Sequence, residues 1–598
     1  MTSVSRSAHF RGRRRATKVL LLLVGAMAPH AYSQTPPPPT PVPAEPEVRA
    51  TPPAKPLGFA PAPSTTADSE SDFVPVPDRW RIGFPDWQRY DRGRAADPYR
   101  QNVLKGDYPL FGQKTFLILS AISDTIGEAR RVPVPSDVSS ERPGSEEFFG
   151  RGEQGAFIQA VIVSLSLFHG DAAFRPRDWE LRITPVGNFN FLYARENGIV
   201  NIDVRRGQTR TDRHIGLQEA FAEAKLFDVS RYYDFVSLRA GIQGFTSDFR
   251  GFVFAENQAG VRLFGNFGSN RYQWNLAFFD MLEKDTNSGL NTLERRGQRV
   301  GIANFYVQDF LWPGYTTQFS FHYNDDEGRL HYDENDFLVR PAPIGDVAPH
   351  ELRISYLGWT GEGHIGRLNI SHAFYEAFGT DDGDLIAGRR TDVDAKMVAL
   401  ELSVDVDWWR PVASALWASG DPSPTDRKAR GFSAIFDNPK FAGGPFSFWN
   451  RQGIPLSQTG VRLVNPNSLI PDLRSSKEEG QSNFVNPGLF LYGLFFDFKL
   501  TPKLTFDVNA NYLRFHHTES LELLLFQPRI RKEIGWDYGF GIQWRPFLNQ
   551  QAVAQLGAAG FSPGKGFRDI YSSNCAELSC GAKAKTLYQA FASIIFAY

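Results

Sequence analysis

The chain has 598 residues, and its 65 basic and 66 acidic side chains leave a formal net charge of −1. This balance argues against a nucleic-acid partner, which would require a basic surface. The length would allow several soluble domains, but the mildly polar composition and the abundant aromatic residues suit a protein with one face in lipid and the other in water.

The first 33 residues have the three parts of an export signal. A basic stretch at 11–15 precedes an apolar run from Val19 to Met27, and Ala31-Tyr32-Ser33 offers a small-x-small cleavage site. The apolar run is too short to span a bilayer as a helix. We therefore predict a signal peptide over 1–33 and export by the general secretory route of a Gram-negative-type bacterium.

A proline-rich stretch follows the signal peptide. Residues 34–77 include Pro36-Pro37-Pro38-Pro39 and repeated Pro-x-Pro, a composition typical of extended, disordered linkers. Residues 78–114 are instead aromatic and basic, with no clean periodicity. We predict a disordered periplasmic arm over 34–77. For 78–114 two interpretations stay open: a linker with a few barrel contacts, or a small plug in the periplasmic mouth.

From residue 115 to 598 the sequence alternates apolar and polar residues in short segments. In one of them Leu504, Phe506 and Val508 oppose Thr505 and Asp507. Such segments indicate strands with one face toward lipid. The predicted fold is all-β, a transmembrane antiparallel β-barrel of about 18 strands within two. The predicted strands lie near 115–126, 156–168, 178–193, 214–226, 235–243, 258–265, 270–280, 298–309, 315–324, 350–358, 364–376, 393–407, 411–418, 487–499, 503–515, 533–544, 550–560 and 585–598.

The connections and the last strand support a membrane barrel. Short turns rich in Gly, Pro or Asn are predicted to alternate with longer outer loops, of which 419–486 is the longest. The last strand ends on Tyr598 and carries aromatic rings at both ends of its apolar face. The predicted location is the outer membrane, where the partners are membrane lipid, lipopolysaccharide and the barrel-assembly machinery.

A barrel of 16–18 strands encloses an aqueous channel. Arginines are predicted to line it on the earlier strands and carboxylates on the later ones. This charge segregation can form a guanidinium ladder for anionic solutes. Alternatively, the opposite charges pair across the wall and satisfy one another. The predicted lumen-lining residues are Arg182, Arg239, Gln243, Arg262, Arg353, Arg367, Glu401, Asp405, Asp507 and Asn509.

The long loop 419–486 carries more aromatic surface than water tolerates, because exposed apolar area costs about 25 cal/mol per Å². We expect it to fold back into the lumen as a constriction, with Phe436, Phe441, Phe446 and Trp449 at its centre. Capping of the barrel rim and docking of a partner are the alternatives.

Two short motifs resemble a known family. Leu238-Arg239-Ala240-Gly241-Ile242-Gln243, and Ala418-Ser419-Gly420-Asp421 followed at a distance by Phe436-Asp437, are similar to segments of alginate-export and related carbohydrate-type porins. The resemblance runs from about 180 to the C-terminus and implies a passive conduit with an arginine-rich lumen for uronate polymers. The chain departs from that family where the usual Gly-Arg-Gln reads Gly241-Ile242-Gln243, and in its more acidic lumen.

Other chemistry has little support in the sequence. Cys575 and Cys580 are predicted to form a disulfide in an oxidising compartment. The runs Asp381-Asp382-Gly383-Asp384 and Asp325-Asp326-Glu327 can hold Ca²⁺ or can be solvated loops bridged by lipopolysaccharide cations. No nucleophile elbow, zinc helix or phosphate loop occurs, so we expect neither a cofactor nor an enzyme.

The sequence therefore predicts an outer-membrane channel for passive import or export of polar solutes, anionic saccharides such as alginate-type polymers included. The alternative is a structural barrel that sheathes a periplasmic electron-transfer or secretion partner, docked by the N-terminal arm.

Overall fold

The computed structural model describes residues 97, 102–136, 138, 147, 149–170, 175–456, 459–572 and 585–598. The predicted signal peptide, the proline-rich arm, most of 78–101 and both cysteines lie outside these residues, so those predictions stand as they are.

Twenty-three strands follow one another along the described chain. They are β1 (Thr115–Arg131), β2 (Glu153–His169), β3 (Trp179–Ala194), β4 (Thr209–Asp228), β5 (Phe235–Thr246), β6 (Ala255–Phe267), β7 (Tyr272–Lys284), β8 (Asn291–Val307), β9 (Tyr315–Glu327), β10 (His331–Tyr332), β11 (Leu338–Arg340), β12 (Glu351–Ile365), β13 (Leu368–Asp384), β14 (Arg389–Val404), β15 (Trp409–Ala418), β16 (Lys428–Ala429), β17 (Ile454–Pro455), β18 (Arg462–Val464), β19 (Leu489–Thr501), β20 (Leu504–Phe515), β21 (Glu533–Trp544), β22 (Ala552–Pro563) and β23 (Leu587–Ala597).

Eighteen of these strands form a closed barrel, and the other five are short strands in loops. Each barrel strand is antiparallel to its neighbours, and β23 closes the ring by pairing with β1 from Ile122–Ala597 to Arg131–Tyr588. Closure leaves no unpaired edge, which a barrel in lipid requires. The predicted transmembrane barrel of about 18 strands is confirmed.

The two ends of the barrel differ in the length of their connections. At one end, the short-loop rim, β12 and β13 are joined by 366–367, and β19 and β20 by 502–503. At the other end, the long-loop rim, the connections include 328–350 and 419–488. Both ends of the barrel chain lie at the short-loop rim, because the strand number is even.

The outer surface is apolar and is bordered by aromatic rings. Large side chains such as Leu494 and Phe540 are 56% and 50% exposed on it. Trp312 stacks on Tyr315 at 4.6 Å at the short-loop rim, and Tyr512 lies 5.1 Å from Trp536 toward the other rim. An apolar band between two aromatic girdles is the outer surface of a barrel that crosses a bilayer.

The helices of the described chain are short. They are the 3-10 turns Val204–Arg206 and Gly444–Phe446 and the α-helices Phe448–Arg451, Glu519–Leu524 and Lys565–Ser572. None of them is long and apolar enough to cross a membrane.

The hydrophobic core lies inside the barrel. Part of the 419–488 connection is buried there, with Phe432 and Trp449 in one apolar cluster with wall residues such as Ile354 and Tyr375. Residues 247–254, between β5 and β6, join the same cluster through Phe254. Two loops from the long-loop rim therefore fill part of the lumen.

The described residues before β1 lie against the start of that strand. Leu119 N donates to Leu104 O at 2.7 Å, and Lys105 Nζ donates to Leu119 O at 2.7 Å. Lys105 Nζ also sits 4.1 Å from the centre of the Tyr598 ring. The part of 78–114 that is described is therefore attached to the seam where β1 and β23 close the barrel.

Candidate functional site

The inserted loop is fixed to the wall by one buried carboxylate. Asp537 faces inward on β21, since its neighbours Trp536 and Tyr538 are exposed outside. It accepts hydrogen bonds from Ser447 Oγ at 2.5 Å, Phe448 N at 2.8 Å and Asn511 Nδ2 at 2.9 Å. The carboxylate thereby reaches the N-terminus of the helix Phe448–Arg451, where the free N–H groups favour an anion.

A niche of three glycines receives the Phe446 ring. Gly539, Gly541 and Gly557 line the inner face of β21 and β22, and a Cβ atom at any of them would overlap Phe446. The ring stacks on Phe591 of β23 with 6.0 Å between centroids. With its amide nitrogen toward the loop, Asn509 donates to Phe446 O at 3.1 Å. The wall is therefore shaped to hold this loop.

Further contacts join the loop to the first and last strands. Arg451 Nε donates to Glu128 Oε2 at 2.8 Å, and its guanidinium lies 3.8 Å from the centre of the Phe591 ring. Gln452 Nε2 donates to Gln589 Oε1 at 2.7 Å. Polar groups of the loop thus pair with polar groups of the wall, which limits the cost of burying both.

The opposite end of the loop pairs with the 247–254 segment. Phe436 N donates to Val253 O at 3.0 Å, and Lys440 N donates to Arg250 O at 3.0 Å. Arg250 then continues to the far wall, where its guanidinium lies 3.0 Å from Glu401 on β14 and 3.1 Å from Ser371 Oγ on β13. Together the two segments form a bridge across the lumen.

Asp248 holds the turn that presents Arg250. Its carboxylate accepts hydrogen bonds from the backbone N–H groups of Arg250, Gly251 and Phe252 and from Tyr375 Oη at 2.6 Å. Burial raises the pKa of the Asp248 carboxyl above its ordinary value. The four donors set the direction of the turn and so the position of Arg250.

The four aromatic residues predicted for the constriction lie inside the packing. Phe436, Phe441, Phe446 and Trp449 are at most 6% exposed, so they anchor the loop. Of the four, Phe441 also lines the cavity beside the loop. The exposed residues of 436–449 are Asn438, Lys440 and Pro445. The Lys440 ammonium makes no ion pair within the described chain.

A chamber of about 770 Å³ lies between the bridge and the wall of β12, β13, β14, β15 and β19. Its charged lining combines Arg250, Arg410 and Lys440 with Glu362, Glu401 and Asp497. Asp405, the residue that follows β14, pairs with Arg410 at 2.5 Å. Asp507 on β20 stands directly opposite Asp497 on β19 in the strand register. The acidic residues predicted on the later strands are thus gathered at one side of the lumen.

Arginines face inward on the wall formed by β3 to β6. The guanidinium groups of Arg182 and Arg239 lie 5.3 and 4.3 Å from the centre of the Phe221 ring, and that of Arg262 lies 4.2 Å from the centre of the Phe264 ring. We call Arg182, Arg239 and Arg262 the arginine ladder. The Arg182 and Arg239 side chains keep 30% and 20% exposure, so solvent reaches the ladder.

Carboxylates neutralise part of the ladder. Arg182 Nη2 lies 2.7 Å from Glu180 Oε1, and Arg239 Nε donates to Glu223 Oε2 at 2.8 Å. Arg262 Nε instead donates to the amide oxygen of Asn275 at 2.8 Å and makes no ion pair within the described residues. Arg182 and Arg239 are therefore paired with carboxylates, whereas Arg262 is a cation without an ion pair among the described residues.

Four predicted lumen residues do not line the open lumen. Asn509 faces inward but is 2% exposed, because the inserted loop covers it at Phe446. Arg353 is 57% exposed on the outer face of β12, because the inward positions Ile354 and Tyr356 pack against the inserted loops. Arg367 lies in the exposed turn 366–367, because β12 runs on to Ile365. Gln243 faces inward but is fully buried, with its Nε2 donating to Gly260 O at 3.2 Å.

The residues that sequence reasoning missed are Asp537, Arg250 and Lys440. Asp537, Gly539 and Gly541 alternate with Trp536, Tyr538 and Phe540, and a row of glycines on the polar face of a strand signals close approach by another segment. Arg250 and Lys440 lie in loops without periodicity, where no sequence pattern marks them.

Of the two acidic runs considered for Ca²⁺, 381–384 makes hydrogen bonds within the protein. Asp381 Oδ1 lies 2.7 Å from His350 Nδ1, and Asp384 Oδ1 accepts from Ile386 N and Ala387 N at 2.9 and 2.7 Å. Ca²⁺ binding there stays a prediction. Elsewhere at the long-loop rim, Asp212, Asp285 and Glu334 bring carboxylate oxygens within 4.8 Å of one another.

Comparisons with known proteins give matches in structure alone. No protein-family model matches the sequence, and no curated protein matches it. Solved structures similar to the chain include Pseudomonas aeruginosa OpdQ (11% identity, 81% of this chain and 98% of that one, TM-score 0.41). Acinetobacter baumannii OccAB4 has 11% identity over 80% of this chain and 98% of its own, with a TM-score of 0.42.

A third similar structure is that of Pseudomonas aeruginosa OccK2 (OpdF) in complex with glucuronate. It has 10% identity over 80% of this chain and 97% of its own, with a TM-score of 0.42. TM-scores of this size carry no property of those proteins over to this chain.

Proposed function

We propose that this protein is a passive outer-membrane channel for small polar solutes, with a preference for solutes that carry a carboxylate. The observation that carries the proposal is the solvent-accessible arginine ladder on one side of a lumen narrowed by the bridge. Guanidinium groups bind carboxylates through paired N–H donors, and aromatic stacking keeps those donors aimed into the lumen.

Two cations supply the anion preference. Arg262 and Lys440 make no ion pair in the described structure, so their charges are available to a solute. Paired arginines contribute less, because Glu180 and Glu223 already occupy part of their donors. A solute with one carboxylate and several hydroxyls matches this lining of scattered cations among polar groups.

Anionic saccharides fit this description, and a uronic acid is the simplest member. Whether a uronate polymer also passes depends on the width left beside the bridge. The sheath alternative finds no specific support among the described contacts, and conductance separates it from the channel.

The test is single-channel conductance of the purified full-length protein in a planar bilayer, with glucuronate or glucose added as the probe. We expect an open channel whose current falls with glucuronate and falls less with the same concentration of glucose. A silent barrel would contradict the channel, and equal effects of the two sugars would contradict the anion preference.

A further inference from the structure

The inner face of β9 carries an unbroken row of polar side chains. Gln318, Ser320, His322, Asn324 and Asp326 all point toward the lumen, because Phe319, Phe321 and Tyr323 are exposed outside. None of the five is more than 6% exposed, since the inserted loops cover them. At about 3.4 Å per residue the row is about 27 Å long, close to the thickness of the hydrocarbon layer.

Several hydrogen-bonding atoms in this row have no protein partner. The clearest case is His322, which is completely buried and has neither Nδ1 nor Nε2 in a hydrogen bond. Asn324 accepts from Gln298 at 2.7 Å through its oxygen, but its Nδ2 donates to nothing. His322 and Asn324, which are neighbours on the inner face of β9, therefore both carry buried nitrogens without a hydrogen bond.

The neighbouring elements add further unpartnered atoms at the same levels. Asn304 on β8 stands opposite Ser320 in the strand register, and Gln298 stands opposite Asp326. Asn304 Oδ1, Gln298 Oε1 and Ser247 Oγ are all buried without a hydrogen bond. Ser247 is the first residue of the inserted 247–254 segment. Its backbone O accepts a hydrogen bond from Asn304 Nδ2 at 3.0 Å, which places the segment against β8.

The surroundings of His322 are aromatic and apolar. The Tyr356 and Tyr375 rings lie 6.3 and 6.1 Å from the imidazole, and the hydroxyls of both tyrosines are used elsewhere, on Ser433 O and on Asp248. Ile302 stands opposite His322 on β8. No neighbouring side chain therefore offers the donor and acceptor that a neutral imidazole requires.

We propose that a file of enclosed water molecules binds along the inner face of β8 and β9, centred on His322. Water is the ligand that fits, because it donates and accepts at once and so serves imidazole, amide and hydroxyl groups in turn. The amide and hydroxyl groups that face the file come from three separate elements, β8, β9 and the 247–254 segment, so the waters join the wall to the bridge.

The file follows a course separate from the chamber. At the end toward the short-loop rim, Gln318 donates to Ser247 O and accepts from Thr360 Oγ1, so protein contacts close the row there. At the end toward the long-loop rim, the guanidinium groups of Arg296 and Arg340 lie near Asp326. A small cavity of about 20 Å³ beside His350 and Gln481 is large enough for one more water molecule.

Hydroxyl-radical footprinting by synchrotron X-rays tests the proposal on the wild-type protein in its membrane-mimetic environment. Radiolysis of bound water labels side chains next to that water even when they are inaccessible to bulk solvent. Met281 of β7 is equally buried, lies in the apolar cluster and is not on β8, β9 or the 247–254 segment, so it serves as the dry reference. We expect faster oxidation of His322 than of Met281, although methionine is intrinsically the more reactive side chain.

A variant sharpens the result. His322→Phe keeps a ring next to Tyr356 and Tyr375 but removes both nitrogens that bind water, so labelling of these two tyrosines should fall. His372→Phe, on the outer face of β13, should leave the labelling of both tyrosines unchanged. Protection of His322 equal to that of Met281 in the wild type would overturn the proposal without any variant. The readout does not depend on conductance, so it is independent of the proposed transport.

Discussion

Asp537 on the wall and Ser447 on the inserted loop are joined by a 2.5 Å hydrogen bond between buried groups. The same carboxylate accepts from Phe448 N, so one side chain both caps a helix and fixes the loop across the lumen. The width of the passage therefore depends on a residue that does not line it.

Replacing this carboxylate should loosen the loop. Asp537→Ala removes the acceptor of Ser447 Oγ and Phe448 N, and one of the two acceptors of Asn511 Nδ2, at a cost of about 3 kcal/mol for a buried hydrogen-bonded charge. We expect a larger and noisier single-channel conductance than in the wild type. Asp507→Ala is the matched control, since Asp507 lies opposite Asp497 on the same wall and makes no hydrogen bond to the loop within the described residues. An unchanged conductance in Asp537→Ala would show that the other anchors suffice.

The glycine niche gives a second, steric test. Gly541→Leu places a side chain where the Phe446 ring lies, so we expect the loop to be displaced and the protein to be destabilised by about 1–3 kcal/mol, as for overpacking elsewhere. Adding Phe446→Ala restores room and should recover part of the loss. Thermal melting of both variants and of Phe446→Ala completes the cycle, and strictly additive effects would contradict direct contact.

The unpaired arginine tests the solute preference. Arg262→Gln removes the cation but keeps a hydrogen-bonding side chain, and we expect the glucuronate concentration for half-block to rise about fivefold, for a loss of about 1 kcal/mol. The control is Arg353→Gln, which removes the same charge from the outer surface. Equal shifts in both variants would point to the overall charge of the barrel and away from the ladder.

The acidic cluster at the long-loop rim predicts a pH dependence. Burial and the neighbouring Asp285 raise the pKa of Glu334 to about 7. The folded protein thus holds a proton that the unfolded chain releases near pH 4.5, so this group's contribution to stability is greatest at low pH and is lost as the pH rises toward 7. Deprotonation also makes the outer mouth more negative.

We therefore expect cation permeability, measured as reversal potential in a salt gradient, to rise between pH 6 and pH 8. Glu334→Gln should remove most of this change, because the cluster then keeps only the carboxylates of Asp212 and Asp285 and loses the group that titrates in this range. Glu351→Gln, on the outer surface of β12, is the control. A pH response that survives in Glu334→Gln would assign the titration to another group.

The strands were accessible to sequence analysis because their signal is local. A residue such as Phe540 has to meet lipid whatever the rest of the chain does, and its neighbours on either side then face inward. Each of the eighteen predicted segments corresponds to one barrel strand. The largest errors in length are in β8 and β13 at the long-loop rim and in β12 at the short-loop rim, where the strand runs on to Ile365.

The charged lining of the lumen was predictable only where the lumen is open. Arg182, Arg239 and Arg262 face inward on the side that solvent reaches, as their alternation with Leu181, Leu238 and Val261 indicates. On β12 the same rule failed for Arg353, because the inward face there is covered by an inserted loop and is itself apolar.

The sequence by itself determined the closed barrel, the alternation of short and long connections and the presence of a loop too aromatic to remain in water. Only the tertiary structure decided that the aromatic residues anchor the loop, that Asp537 and three glycines receive it, and that Arg250 and Lys440 reach the chamber. The reason is that strand alternation depends on contacts with the membrane, which each residue makes alone, whereas the path of the loop depends on contacts between residues such as Arg250 and Glu401, which lie far apart in the chain.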